Sequence, residues 1–123
     1  MVILGIDPGY AIIGWGVLEY RANKFKVIDY GAVTTSAKTP FPFRLCDIYS
    51  GICEIIKKYE PQVLSMEKLF YNNNAKTVID VAQARGVITL AAQQNGIQIA
   101  EYTPLQVKQS VTGYGRAGKK QVQ

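Results

Sequence analysis

Val2-Ile3-Leu4-Gly5-Ile6 is an unbroken apolar run that stops abruptly on Asp7, Pro8 and Gly9. A run of this length closed by turn residues predicts a buried strand. After a short turn around Gly9 to Ile12, Gly14 to Tyr20 predicts a second strand, and Arg21 to Lys24 is polar and turn-like. Phe25 to Val33 alternates well enough for a third, so the chain should open as an antiparallel meander. Thr34 to Pro42, with two prolines, predicts a loop. Leu45, Ile48, Tyr49, Ile52, Ile55, Ile56 and Tyr59 then recur three and four apart. This spacing predicts a helix from about Phe43 that stops before Pro61. Gln62 to Glu67 is a short apolar strand that again finishes on an acid. The polar run Asn72-Asn73-Asn74 should cap a helix from Ala75 to about Asn95, which Gly96 ends. In that helix Val78, Val81, Ala82, Arg85, Thr89 and Ala92 fall at helical spacing. Small residues are frequent there, so one face suits either the chain's own sheet or a partner subunit. Ile97 to Tyr102 predicts a fifth strand, and Pro104 to Val111 a short helix carrying Lys108.

The order strand, helix, strand predicts a right-handed crossover that lays Gln62–Glu67 parallel to an earlier strand. If that strand is the first, Asp7 and Glu67 stand at neighbouring strand ends and face one crevice. Each has an ordinary alternative. An aspartate before Pro and Gly often bonds only its own turn, and Glu67 is placed to pair with Lys68 or Lys76. Two carboxylates side by side repel, so they share a proton or hold a cation. With oxygen ligands the cation should be hard, Mg²⁺ or Mn²⁺.

Composition narrows the chemistry. The 123 residues, 48% of them hydrophobic, are enough for a core and call for one domain, 1–123. Histidine is absent from the sequence, which leaves acid-base or metal chemistry to carboxylates, lysines, tyrosines or thiols. Cys46 and Cys53 fall two turns apart on one predicted helix, too far for a disulfide. They fit a reducing compartment. With no leader-like start and no apolar stretch of spanning length, a cytoplasmic protein without a membrane partner is expected. The 14 basic residues outnumber the 9 acidic ones, a net charge of +5. The excess lies at the C-terminal end: Tyr102 to Gln123 contains Lys108, Arg116, Lys119 and Lys120 and no acid. An acid-free basic segment rich in glycine is either a solvated tail or one that orders along a phosphate backbone.

Taken together, Gly5-Ile6-Asp7-Pro8-Gly9 with Gly14-Trp15-Gly16, Met66-Glu67-Lys68-Leu69-Phe70, Gln83-Ala84-Arg85-Gly86, Gln106-Val107-Lys108-Gln109 and Lys120-Gln121-Val122-Gln123 resemble the bacterial RuvC Holliday junction resolvases. The first motif is also similar to the strand end that opens actin-like ATPases and sugar kinases; the ordered set is what carries the resemblance. It implies an α/β, ribonuclease H-like fold: a mixed five-stranded sheet, order 3-2-1-4-5, with helices on both faces. It implies a homodimer that binds four-way junction DNA, cuts two opposed strands symmetrically during recombination and repair, and works with a branch-migration motor complex. Asp7 and Glu67 match two of the family's four catalytic, Mg²⁺-binding carboxylates. Phe70 matches an aromatic that stacks on a base at the opened crossover, and Lys108 and Lys119 match basic positions along the DNA. Arg116 and Lys120 are plausible neighbours on that path, and Lys76 is close enough in sequence to reach a phosphate.

The family's other two aspartates come from a C-terminal helix beyond the stretch matching Lys120 to Gln123. The chain is therefore expected to be a C-terminally truncated resolvase whose metal site is incomplete and whose activity is in doubt. Two other functions are consistent with the residues: a non-catalytic junction-binding module using Phe70 and the basic tail, and an actin-like phosphotransferase fragment. The latter lacks a second phosphate-binding glycine motif.

Overall fold

The computed structural model of the chain describes residues 1–9, 11–67 and 75–102, with side chains for all of these except 75–77 and 102. Five strands and two helices follow the predicted order: β1 (Val2–Asp7), β2 (Ile12–Arg21), β3 (Lys24–Thr34), α1 (Phe41–Tyr59), β4 (Val63–Glu67), α2 (Ala75–Gln94) and β5 (Gln98–Tyr102). They form one mixed sheet in the order β3-β2-β1-β4-β5. The hairpin pairs are antiparallel, while β4 is parallel to both β1 and β5. The segment predicted as a helix from Pro104 to Val111 lies outside the described residues.

The β2–β3 hairpin closes through Ala22 and Asn23, both left-handed at φ 53° and 62°. This is the mirror-image two-residue turn whose twist suits a hairpin. The Tyr20 hydroxyl donates to Asn23 Oδ1 at 3.0 Å and fastens it. Further along, Val17 pairs with Asp29 but Leu18 with Val27, so Ile28 is an extra residue that bulges the edge strand.

Helix α1 starts at Phe41, two residues before the expected position, and so includes Pro42. Proline is tolerated in a first turn because its missing N–H would have no helical acceptor there. The helix ends at Glu60, whose left-handed backbone (φ 49°) lets its N–H reach the Ile56 carbonyl before Pro61 blocks continuation.

Alternation along the central strands separates two faces of the sheet. Leu4 and Ile6 of β1, Ile13 and Val17 of β2, and Leu64 and Met66 of β4 are buried on one of them, against Ile48, Ile52, Ile55 and Ile56 of α1 and Ala84, Ile88, Ala91 and Ala92 of α2. Both described helices thus cover the same face. Ile3, Gly5 and Asp7 of β1, with Val63, Ser65 and Glu67 of β4, lie on the other, and no described helix covers them. The core side of α2 differs from the expected stripe. Ala82 and Thr89 are exposed, Val78, Val81 and Arg85 are half-buried, and among the six only Ala92 is fully inside. Small apolar residues all round a helix leave its inward side undetermined until the sheet selects one.

A hydrogen-bonded pair ties α1 to the edge strand. The Tyr59 hydroxyl donates to Asp29 Oδ2, and the Tyr30 amide donates to Asp29 Oδ1 at 2.8 Å. The Tyr59 bond, then the amide, hold the Asp29 pKa below its ordinary 3.8, with Lys58 adding a smaller pull. The same bond, and then burial, hold the Tyr59 phenol above its ordinary 10.0. A depressed carboxylate contributes stability that is complete above its unfolded pKa and is lost as pH falls through the folded one; a raised phenol contributes below its unfolded pKa and loses it as pH rises. Tyr59→Phe is therefore expected to lower the melting temperature at neutral pH. In thermal scans the gap to the parent should begin to close below pH 3.8 and above pH 10.0. A melting temperature unchanged from the parent would mean that Tyr59 acts through its ring, which phenylalanine keeps against Trp15 at a centroid distance of 6.0 Å.

Candidate functional site

Asp7 is the last residue of β1 and Glu67 the last of β4. The parallel register pairs Ile3 with Val63 and Ile6 with Met66, so one residue further on Asp7 and Glu67 stand abreast. Their backbones are then about 5 Å apart, the spacing of hydrogen-bonded strands. Because Leu4, Ile6, Leu64 and Met66 turn into the core, period-two alternation sends both acids to the face away from the helices. Asp7 is exposed and Glu67 half-buried. The strands therefore end their apolar runs on acids that reach solvent together, which removes the desolvation cost of an aspartate inside a hydrophobic run.

The surroundings of Asp7 are built from small residues and a tight turn. Gly14 is its cross-strand partner, and a Cβ on Gly14 would come within 3.6 Å of the Asp7 Cβ. Gly5, Gly16 and Ser65 lie behind on the same face, Gly5 paired with both of the others. This keeps the floor next to the carboxylates shallow enough for another backbone to approach. At Gly9 a Cβ would overlap the carbonyl oxygen of Ile12, so only glycine lets the turn after Asp7 fold back this closely. Thr35 N–H donates to the Ala11 carbonyl at 2.9 Å, which docks the β3–α1 loop against the same turn. Gly14 belongs to the Gly14-Trp15-Gly16 motif of the resemblance, whereas nothing in the apolar pattern points to Thr35.

Of the residues singled out from the sequence, Asp7 and Glu67 are brought together as expected. Phe70, Lys108, Arg116, Lys119, Lys120 and the side chain of Lys76 lie outside the described residues. Arg85, from the Gln83-Ala84-Arg85-Gly86 motif, pairs with Glu101 of β5 at 2.5 Å. Ala84 of that motif is in the core and Gly86 is exposed on the outer side of α2. Among the described residues no group of three or more acids, cysteines or histidines converges to hold a metal. No described helix is long and apolar enough to cross a membrane.

A mixed sheet in the order 3-2-1-4-5, opening with an antiparallel hairpin and carrying acids abreast at the ends of β1 and β4, defines a ribonuclease H-like protein. The family model for crossover junction endodeoxyribonuclease RuvC matches residues 3–123. The chain belongs to the RuvC family of crossover junction endodeoxyribonucleases. It is 59% identical over 123 residues to the RuvC of Clostridioides difficile and 55% identical to that of Caldanaerobacter subterraneus subsp. tengcongensis. All of the chain is aligned in both, against 73% and 74% of those relatives. Thermus thermophilus RuvC in complex with a Holliday junction substrate superposes with a TM-score of 0.85 at 28% identity, covering 91% of this chain and 72% of that one.

Proposed function

We propose that this chain is the nuclease domain, or the larger part of it, of a structure-selective endonuclease that resolves four-way DNA junctions. The observation that carries the reading is the side-by-side placement of Asp7 and Glu67 on the open face of the sheet, within a chain of the RuvC family. The two acids fit a hard divalent cation. Mg²⁺ takes one or two carboxylates and leaves its remaining positions to water and phosphate oxygens, and an exposed and a half-buried acid on adjacent strands offer such a site.

Asp7 and Glu67 would hold Mg²⁺, with Mn²⁺ as a substitute. The ion, when bound, supplies the charge that acidifies a water and offsets the negative charge growing on the phosphodiester oxygens. The carboxylate oxygens orient the attacking water by accepting its hydrogen bonds, and their strand ends fix that direction relative to the phosphate. Gly14, Gly5 and Gly16 let the DNA backbone lie close. In-line attack leaves a 5′ phosphate and a 3′ hydroxyl on each of two opposed strands. Phe70 stacking on an opened base, worth about 1–3 kcal/mol, and the cations Lys76, Lys108, Arg116, Lys119 and Lys120 along the phosphates complete the interface we assign. The compartment is the cytoplasm, with a branch-migration motor as partner.

The test is a labelled synthetic four-way junction with Mg²⁺. Paired symmetric nicks support the enzyme reading; selective binding of the junction with no nicks supports a junction-binding module whose metal site is incomplete.

Paired cutting needs two copies, and the outer side of α2 suits that role. Ile79, Gln83, Gly86 and Leu90 recur at helical spacing on the side opposite Ala84, Ile88 and Ala91. Ile79 and Leu90 are 58% and 50% exposed, which is costly for free apolar side chains and favourable against a second helix. A Cβ on Gly86 meets nothing within 4 Å, so the position is open inside one subunit. Gly86→Glu should therefore leave the monomer folded, with helix propensity in its favour by up to about 1 kcal/mol. Light scattering should show it as a monomer at concentrations where the parent self-associates, and single nicks should replace paired ones. A Gly86→Glu protein as dimeric as the parent would rule out this side of α2.

A further inference from the structure

The loop between β3 and α1 is held more firmly than its exposed, polar sequence requires. Arg44, on the first turns of α1, is only 7% exposed, and no other described charged residue is buried. Its Nε donates to Thr35 Oγ1 at 3.0 Å, and its guanidinium lies 5.9 Å from the centroid of the Phe41 ring. Burying a guanidinium is costly unless its donors are satisfied, and here one of them is committed to a surface loop. The rest of the loop is also specified. Thr35 N–H bonds the Ala11 carbonyl at 2.9 Å, the Lys38 amide donates to Ser36 Oγ at 3.2 Å, and the Thr39 amide donates to the Ser36 carbonyl at 3.0 Å. Ser36, Ala37 and Lys38 remain exposed.

The location and charge of this loop give the rigidity a use. Ala11 is in the turn that follows Asp7, so the loop flanks the carboxylate pair on the open end of the sheet. Lys38 is three residues beyond the bond to Ala11, within about 11 Å of it at ~3.6 Å per residue. No acid occurs from Tyr30 to Cys46, and Lys38 and Arg44 are the cations of that stretch. Polyanion binding favours a fixed cation over a loose one, because less side-chain and loop freedom is lost on contact.

We propose that the Thr35–Thr39 loop is a phosphate clamp for the junction strand beside the cut, with Lys38 as the cation that contacts the backbone and Arg44 as the positioning residue that holds the loop. The inference rests on the reading of the chain as a junction-binding nuclease, and it adds a contact from a part of the chain that the resemblance leaves without a role. Ser36 Oγ and the Lys38 ammonium would together present one acceptor-donor hydroxyl and one charge to a phosphate a few nucleotides from the scissile one.

The experiment is fluorescence anisotropy of a labelled four-way junction with the full chain, in EDTA, from 50 to 200 mM salt. Loss of one phosphate contact flattens the plot of log K against log salt by ~0.9, so Lys38→Ala should lose ~3.5-fold less affinity across that range than the parent. Lys38→Arg should restore the parent slope. Arg44→Met should flatten the slope although Lys38 is present. If that variant is unstable, the pair Lys38→Ala and Lys38→Arg decides by itself, since the Lys38 side chain is in solvent. Ethylation interference supplies a second readout: one phosphate near the cut should matter for the parent and for Lys38→Arg but not for Lys38→Ala. A Lys38→Ala protein with the parent's slope and interference pattern overturns the clamp while junction binding stands. A parent that binds the junction no better than a duplex of equal length overturns the functional reading itself, and the clamp with it.

Discussion

Asp7→Asn is expected to slow junction cleavage by about 10³-fold, which at ~1.36 kcal/mol per decade is about 4 kcal/mol of lost transition-state stabilisation. The substitution keeps shape and removes charge. Asp7 is exposed at a strand end, so its replacement leaves the core of Leu4 and Ile6 untouched and the melting temperature within error of the parent. Binding should persist and strengthen slightly when measured in EDTA, because one carboxylate fewer repels the phosphates. Single-turnover cleavage with Mg²⁺ and anisotropy with EDTA on the same preparation separate the two effects. Equal loss of binding and cutting would show instead that Asp7 supports its turn and does not take part in the chemistry.

Gly9→Ala should be the most damaging change outside the core. The added Cβ overlaps a backbone oxygen, that of Ile12, and lies 3.4 Å from its carbonyl carbon, so no side-chain rotation relieves the contact. The turn must open. Ile12 begins β2 opposite Thr34, and Ala11 receives the Thr35 amide, so an opened turn shifts both the strand start and the docked loop. A loss of about 1–3 kcal/mol in urea unfolding is expected for such overpacking. Cleavage should fall further than stability explains, since misplacing a reacting group by about 1 Å costs ~10²-fold. Gly16→Ala is the control for stability alone, because a Cβ there meets nothing within 4 Å inside the chain. A Gly9→Ala enzyme with parental stability and rate would show that the turn yields without moving Asp7.

The two variants test different parts of one arrangement. Asp7→Asn removes the charge from a correctly built strand end, and Gly9→Ala keeps the charge but disturbs the segment that places it. If the loop from Thr35 to Thr39 clamps a phosphate, Gly9→Ala should also weaken binding, which Asp7→Asn should not.

Much of this arrangement was readable from the residues. Apolar runs closed by Asp7-Pro8-Gly9 and by Glu67 marked two strand ends, while the side of the sheet that the acids share follows from the burial of Leu4, Ile6, Leu64 and Met66. The intervening helix required a crossover, and a right-handed crossover required a parallel neighbour. The family also followed from motifs spread over the whole chain. Local patterns carry such information because strand period, helix period and turn chemistry act over a few residues.

Other features depended on groups far apart in the chain. The inner side of α2 was not determined by its own residues, since alanines and other small apolar residues surround it; packing into the common core with α1 and the sheet selected Ala84, Ile88, Ala91 and Ala92. The start of α1 fell at Phe41, although prolines flank it, because the first turn needs no N–H from Pro42. Ile28 became a bulge only through the register of β3 against β2. Arg44, a charge that sequence alone would leave in solvent, is buried because Thr35 and Phe41 converge on it. The sequence by itself determined the elements, their order and the acids at their ends. The tertiary structure decided which surfaces meet, because burial and register are settled by partners brought together in space.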